Sequence, residues 1–392
     1  MSGPWLAILG INEDGALSPE AAGLLSRAGL VLGGARHLAL AAPHITGEAQ
    51  AWPSPMTDAL PGLLARRGTA VAVLASGDPL WFGVGSMLLR HVPVAETRII
   101  PAPSAFALAA ARLGWALQDT GCLSCCGRPV AALVPHLHDG ARLLVLCADA
   151  GTAEAVRTLL AAHGFGGSVL HVLEALGGPQ ERVRRDPPLS GLHPLNMLAI
   201  EVSGRGWPLT PLDDDAFEHD GQITKSEIRA MTLAALAPRP GALLWDVGAG
   251  SGSIGIEWMR RHPACRAIAI EARPERAARV RRNADALGVP GLVVAEGTAP
   301  GALHGLPAPD AVFLGGGAHR DGVIDAAWTA LCPGGRLVAN AIAVVTEATL
   351  FAAQARLGGT LSRIGVERLD QVGGMAAFRP AMTVTQWKVT RP

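Results

Sequence analysis

At 392 residues the chain is longer than one ordinary domain, and its length favours two or three. Apolar residues make up 49%, enough for sizeable cores, and the 48 glycines and 29 prolines follow no repeat period, which excludes collagen-like and disordered classes. The formal net charge is zero, so there is no broad basic field for nucleic acid, and no apolar run reaches the ~18 residues of a membrane span.

The first residues lack a basic leader and run straight into a strand, so no signal peptide and a cytoplasmic location are expected. Cys122-x-x-Cys125-Cys126 has no second Cys/His pair at ligand spacing. These cysteines, with Cys147, Cys265 and Cys332, therefore read as buried thiols and not as a metal site. Tyrosine is absent, and Lys225 and Lys388 are the only lysines among 33 basic residues, so a retained lysine is more informative than any single arginine.

In chain order, Trp5 to Leu9 reads as a strand, and Ser18-Pro19-Glu20 opens a helix with Ser18 as cap. Leu30–Leu32 is a strand, Ala59–Arg67 a helix and Ala70–Leu74 a buried strand ending in Ser76-Gly77-Asp78-Pro79. Gly83–Leu89 is helical, Arg98–Ile100 a strand, and Pro103-Ser104 leads into a helix over Ala105–Leu113. Strand and helix thus alternate, with ligand-type loops at strand ends, as in open α/β sheets. From Thr120 the pattern becomes a more antiparallel subdomain. It has strands at Arg142–Cys147, Val169–Leu173 and Met197–Val202, and a helix over Thr152–Ala162 capped by Thr152. Residues 204–219 contain glycine, proline and Asp213-Asp214-Asp215 without apolar periodicity, and read as a linker. The domains expected are therefore 1–203 and 220–392.

The second half opens with a helix in which Ile228, Met231 and Ala235 share a face. The stretch Leu243-Leu244-Trp245-Asp246-Val247-Gly248-Ala249-Gly250-Ser251-Gly252-Ser253 then joins an apolar strand to a helix through a glycine turn. Glycines there admit a ligand that a Cβ would exclude, and Glu271, ending the next apolar run, stands where ribose hydroxyls are bound in nucleoside sites. A tight turn with no ligand is the alternative. Strands follow at Leu292–Val294, Ala311–Leu314 and Arg336–Ala339, with helices over Arg276–Leu287, Arg320–Leu331 and Thr346–Arg356. A terminal pair, Ser362–Arg368 and Met382–Lys388, is expected to close the sheet. This β/α alternation with a final hairpin is the plan of a class I methyltransferase.

Gln222-Ile223-Thr224-Lys225-Ser226-Glu227-Ile228-Arg229, the glycine stretch, Glu296-Gly297-Thr298-Ala299-Pro300 and Gly315-Gly316-Gly317 together resemble the precorrin C15-methyltransferase/decarboxylase family. Gly10–Gly15, Ser76-Gly77-Asp78-Pro79 and Pro103-Ser104-Ala105-Phe106 are similar to the tetrapyrrole methylase family. Their fusion, in this order, resembles the decarboxylating precorrin C5,15-methyltransferases over almost the whole chain. The resemblance implies an α/β fold with two parts: an N-terminal two-subdomain tetrapyrrole methylase fold and a C-terminal Rossmann-like class I fold dependent on S-adenosylmethionine (SAM). It implies one SAM per domain, a precorrin tetrapyrrole as substrate and a homo-oligomer. Methylation at C5 would fall to the first domain, and methylation at C15 with loss of the C12 acetate carboxyl to the second.

On that reading Gly248, Gly250, Gly252 and Ser253 hold the methionine and ribose side of SAM, Glu271 takes the ribose, and Gly297 and Thr298 border the adenine. Gly315 borders cofactor and substrate, and Gln222 and Thr224 cover the site. In the first domain Gly77, Asp78, Ser104 and Ala105 would hold SAM, with Asp78 alternatively a turn residue. Lys225 is either an anchor for a substrate carboxylate or a solvated helix start. Asn340 is a substrate contact or a turn former, and His319 a proton donor or a surface histidine. Arg36, Arg112 and Arg128 are candidates for carboxylate arms. Methylation of nucleic-acid bases is disfavoured, since the chain has no tyrosine for an Asn/Asp-Pro-Pro-Tyr motif and no Pro-Cys nucleophile.

Overall fold

The computed structural model describes residues 3–206 and 211–392. Contacts divide the chain into two units, Met1–Val130 with His138–Arg205, and Ala131–Leu137 with Gly206–Pro392.

The first unit has two sheets. In the first, β1 (Leu6–Ile11), β2 (Leu30–Gly33), β3 (Glu48–Ala51), β4 (Val71–Ser76) and β5 (Thr97–Ile100) lie parallel in the order β3-β2-β4-β1-β5. Helices α1 (Pro19–Ser26), α2 (Ala35–Ala41), α3 (Leu60–Ala65) and α4 (Val84–Leu88) connect them. Strand β1 is buried throughout between two neighbours, which is why its sequence is unbroken apolar. Ser18 caps α1 as expected, its Oγ accepting from Ala21 N–H at 3.2 Å. Edge strand β3, Glu-Ala-Gln-Ala, is exposed throughout and offers no apolar pattern, so it was not legible in the sequence.

Helix α5 (Ala105–Leu113) leads to the second sheet, β6-β7-β10-β8-β9, formed by β6 (Gly121–Ser124), β7 (Arg142–Leu146), β8 (Val169–Glu174), β9 (Arg182–Arg185) and β10 (Asn196–Glu201). Only β6 and β7 pair parallel. The N-cap of helix α6 (Thr152–Ala162) is Gly151, not Thr152, and Asp149 Oδ1 just before it accepts from the Gly151 and Thr152 N–H groups, both at 2.9 Å. Cys125 and Cys147 are buried thiols, whereas Cys126 is exposed.

The second unit opens with α7 (Ser226–Leu236). Its sheet contains β11 (Leu243–Val247), β12 (Arg266–Glu271), β13 (Val293–Glu296), β14 (Ala311–Leu314) and β15 (Arg336–Ala341). Helices α8 (Ser253–Arg260), α9 (Pro274–Ala286), α10 (Val323–Ala330) and α11 (Val344–Leu357) flank it. After α11 come β16 (Thr360–Ile364), β17 (Glu367–Val372), β18 (Met375–Pro380) and β19 (Val384–Thr390). The order is β13-β12-β11-β14-β15-β19-β16, with β19 antiparallel to both neighbours. The expected closing pair is therefore β16 and β19. Between them β17 and β18 form a separate two-stranded sheet that the sequence reading ran together with it.

Strand β11 alternates at period two. Leu244 joins the core cluster containing Trp258 and Phe313, while Leu243, Trp245 and Val247 join the one containing Trp387 and Leu350. The Trp245, Trp258 and Trp387 indoles are fully buried, and each donates to a carbonyl, at 3.1, 3.0 and 2.9 Å.

Two expectations need correction. On α7 the buried face is Ile228, Arg229, Thr232, Leu233 and Leu236, and Met231 points to solvent. Of the expected linker, residues 207–210 lie outside the described residues, and the part beyond them is not loose. Leu212 and Phe217 are buried in the core that α7 and α8 build. The fully buried Arg229 stitches this segment down. Its guanidinium donates to the Leu212 and Thr224 carbonyls, pairs with Glu257 at 2.5 Å and Asp214 at 3.2 Å, and lies over the Phe217 ring.

Candidate active sites

Each unit has a cleft at the C-terminal ends of its parallel strands, where open α/β sheets bind ligands. The larger, about 880 Å³, belongs to the second unit. Gly248 and Gly250 turn the chain from β11 toward α8, and Ser253 begins that helix; all three line the cleft. So do Glu271, Gly297, Thr298, Gly315, Gln222, Thr224, Lys225 and Asn340.

Gly252 is not part of the lining. Its φ is +78°, and a Cβ there would stand 2.8 Å from Val280 Cγ1 on α9, so this glycine serves helix packing. His319 is exposed and outside the lining, with its Nδ1 3.4 Å from Thr346 Oγ1. The loop after β14 turns Gly317 and Arg320 toward the cleft in its place.

Glu271 is buried, and its two oxygens accept from the Gly250 N–H at 2.8 Å and the Arg273 N–H at 3.0 Å. Asp246 lines the same cleft but is only 1% exposed, with Oδ2 accepting from Gly255 N–H at 3.0 Å. Burial, reinforced by the Glu271 charge and opposed by that hydrogen bond, pushes Asp246 up to about 7. The sequence places this acid on a buried strand but gives it no role in the site. Asn340 is held rigidly: its Nδ2 donates to Thr232 Oγ1 at 2.9 Å, and its Oδ1 accepts from Gln386 Nε2 at 3.0 Å.

Five basic side chains line this cleft. Lys225 pairs with Asp214 at 3.2 Å, Arg276 with Asp220 at 2.9 Å and Arg368 with Glu227 at 2.5 Å. Arg273 and Arg320 have no acidic partner among the described residues, and the sequence reading singled out neither. Arg320 follows β14, which lies on the other side of β11 from β12 and its terminal Glu271.

The cleft of the first unit, about 420 Å³, lies between the ends of its two sheets. Gly77, Ser104 and Ala105 line it; Asp78 does not, and its Oδ1 accepts from Leu80 N–H at 2.8 Å as a turn residue. Gly77 has φ +54°, and a Cβ there would meet the Pro103 carbonyl and Ser104 Cα at 2.8 Å, so the strand-end loops close together only over glycine. Ser104 is the cap of α5, its Oγ accepting from Ala107 N–H at 3.1 Å.

Arg36 lines this cleft paired with Glu13 and donates to Ser76 Oγ at 3.3 Å. His37 Nε2 lies 3.1 Å from the Arg36 guanidinium and 2.7 Å from Ser76 Oγ. Burial and then the Arg36 charge lower His37 to about 4, which keeps the ring neutral. Arg112 is spent on Glu181, at 2.5 and 3.1 Å, away from the cleft. Asn12 also lines the cleft, and its buried Oδ1 has no donor, leaving an acceptor for a ligand.

No group of three or more metal-ligating side chains occurs among the described residues, and no helix there is long and apolar enough to cross a membrane.

Two family models match the chain: Tetrapyrrole (Corrin/Porphyrin) Methylases over residues 9–188 and Precorrin methyltransferase domain over residues 215–391. A Sinorhizobium sp. protein named precorrin-6Y C(5,15)-methyltransferase (decarboxylating) is 55% identical over 99% of this chain and 97% of its own. Two shorter relatives are each 33% identical. A probable cobalt-precorrin-6B C(15)-methyltransferase (decarboxylating) of Saccharolobus solfataricus covers 38% of this chain and 77% of its own. A cobalt-precorrin-7 C(5)-methyltransferase of Salmonella typhimurium covers 45% and 88%.

Proposed function

The chain belongs to the precorrin-6Y C5,15-methyltransferase (decarboxylating) family, and from that premise we propose that its two clefts divide the work. The first unit methylates the precorrin macrocycle at C5. The second methylates it at C15 and removes the C12 acetate carboxyl, a step of cobalamin biosynthesis. The observation that carries this division is the presence of two separate strand-end clefts, the second lined wholly and the first mainly by residues of its own matched family segment. Shorter relatives named for C5 or C15 alone support it.

The residues of both clefts fit one SAM each. In the second unit the backbone of Gly248 and Gly250, Ser253 and Glu271 would hold it, with Gly297 and Thr298 beside the adenine and Gln222 and Thr224 covering it. The acids Asp246 and Glu271 suit a cationic donor. In the first, Gly77, Ala105 and the free acceptor of Asn12 would hold it. When bound, SAM supplies a methyl group activated on a sulfonium; the protein's task is then alignment at about 3–3.5 Å.

The acceptor is the macrocycle's own bridge carbon, so no protein nucleophile is required. Arg320, a lining cation on the β14 side of the cleft without an acidic partner among the described residues, would hold a carboxylate arm that is retained, and Lys225 lines the same cleft. A carboxylate bound to arginine is stabilised, so the arm that is lost should face the apolar wall of Ile342, Val366 and Met382 instead. The electrons left by carbon dioxide pass into the conjugated ring, and the arm carbon takes up a proton.

The six free cysteines support a cytoplasmic setting. A homo-oligomer is supported by the β17–β18 hairpin, which exposes Leu369, Met375 and Phe378. The neutral charge favours the tetrapyrrole over nucleic acid as partner. The test is the full chain with SAM and the reduced precorrin, followed by mass spectrometry. Two methyl gains and one loss of carbon dioxide are expected; an unchanged macrocycle mass would overturn the assignment.

A further inference from the structure

The loop after β4 places two large apolar side chains at the mouth of the first cleft, Trp81 at 39% and Phe82 at 41% exposure. Neighbouring side chains on an extended strand diverge, yet both rings here pack on the same partner. Trp81 and Phe82 lie 5.1 and 5.8 Å, centroid to centroid, from Phe106 at the start of α5. The cause is backbone strain: Phe82 has φ +56°, a left-handed conformation that a bulky residue rarely adopts, and it swings the second ring to the side of the first. Gly83 follows directly, in a position where a Cβ would strike the Pro79 carbonyl oxygen at 2.4 Å, so the loop is fixed from behind.

Over Phe82 lies the Arg128 guanidinium, 5.1 Å from the ring centroid. Arg128 has no acidic partner among the described residues, unlike Arg36 and Arg112. The cleft mouth therefore combines an open aromatic face, a strained loop that presents it, and an uncompensated cation held beside it. A cofactor buried by glycine loops needs none of these. A flat conjugated ring edged with carboxylates matches all three: its face suits the indole and its arms suit the guanidinium.

We propose that Trp81, Phe82 and Arg128 form the macrocycle platform of the C5-methylating unit, with Trp81 stacking on the conjugated ring, Phe82 carrying Arg128, and Arg128 binding a carboxylate arm. The platform rests on the assignment of C5 methylation to this unit. It acts on substrate binding and leaves SAM binding to the inner cleft.

The test uses the full chain and its Trp81→Ala, Phe82→Gly and Arg128→Gln variants. Initial rates of C5 and C15 methylation are measured by mass spectrometry against macrocycle concentration, and SAM affinity by calorimetry. Trp81→Ala and Arg128→Gln should each raise KM for C5 methylation about tenfold or more, with smaller changes in kcat. Phe82→Gly removes the ring that carries Arg128 while easing the backbone, so it should raise KM without lowering Tm. SAM affinity should be unchanged in all three, and Arg128→Lys should restore part of the loss. Unchanged KM in both Trp81→Ala and Arg128→Gln would overturn the platform, as would a change of oligomeric mass in sedimentation with KM unaltered. Failure of the wild-type chain to methylate C5 would instead overturn the functional assignment beneath it.

Discussion

At the scale of single residues, Asp246 shows how burial makes chemistry that sequence does not. An acid at the end of an apolar strand can be read from the sequence; that its carboxyl is almost wholly buried at the cleft wall and raised to about 7 cannot. A raised acid holds its proton longer in the folded chain than in the unfolded one. Its stabilising contribution is therefore present below the ordinary carboxylate range and is lost as pH rises toward about 7. A cationic donor in the cleft favours the ionised form, so its binding releases a proton below that pH. SAM affinity of the second site should rise with pH to about 7 and then level, and Asp246→Asn should flatten the profile. Calorimetry in buffers of different ionisation enthalpy checks the proton release, and an equally steep profile in the variant would refute the assignment to Asp246.

Arg320 is the companion case on the substrate side. Arg320→Gln should raise KM for C15 methylation about tenfold while leaving SAM affinity alone; an unchanged KM would remove it from the substrate site. Arginine abundance hid this residue in the sequence, and only the pairing of its neighbours distinguishes it.

At the scale of elements, most strands and helices of the first unit's parallel sheet and of the parallel part of the second unit's sheet, though not helix α2, which buries only Ala41, were legible as apolar runs between turn residues. Edge strand β3, the β17–β18 hairpin and the segment 211–225 were not. The first two are exposed, so no apolar pattern marks them. The third is held by Arg229, two of whose partners, Leu212 and Glu257, lie at sequence distances no local pattern spans. One guanidinium binds both ends of this segment, and its outgoing limb, Gly221–Lys225, is a wall of the larger cleft. Arg229→Met would strip a buried carboxylate, Glu257, of its guanidinium and free both carbonyls, at a cost of about 3–5 kcal/mol. Arg229→Lys keeps the charge but not the fork, and should fold with a lower Tm and weaker SAM binding at the second site. Thermal unfolding with and without SAM separates the two effects. If the lysine variant loses stability yet binds SAM at full strength, the segment is structural only.

At the scale of the whole molecule, two sheets of different strand order, β3-β2-β4-β1-β5 and β13-β12-β11-β14-β15-β19-β16, reach the same solution of a cleft beyond the strand ends. The glycine motifs of both were legible, but what each glycine does was not. Gly252 looks like its neighbours Gly248 and Gly250 in sequence, yet it faces Val280 and not the cleft. That difference makes the count of SAM sites testable within one chain. Calorimetric titration of the full chain should give two SAM per chain, because each cleft has its own lining and shares none of it with the other. Gly250→Arg fills the second cleft, since Gly250 is part of its lining and has only the Gln222 carbonyl oxygen, at 3.8 Å, near its Cβ position. It should reduce the count to one, abolish C15 methylation and decarboxylation, and leave C5 methylation intact. Gly252→Ala should behave differently, lowering stability by about 1–2 kcal/mol through its left-handed backbone, and further because Val280 must move off the new Cβ, while retaining both sites. A wild-type count of one would show that one cleft does not take SAM. Loss of both sites in Gly250→Arg would show that the two units do not bind SAM independently.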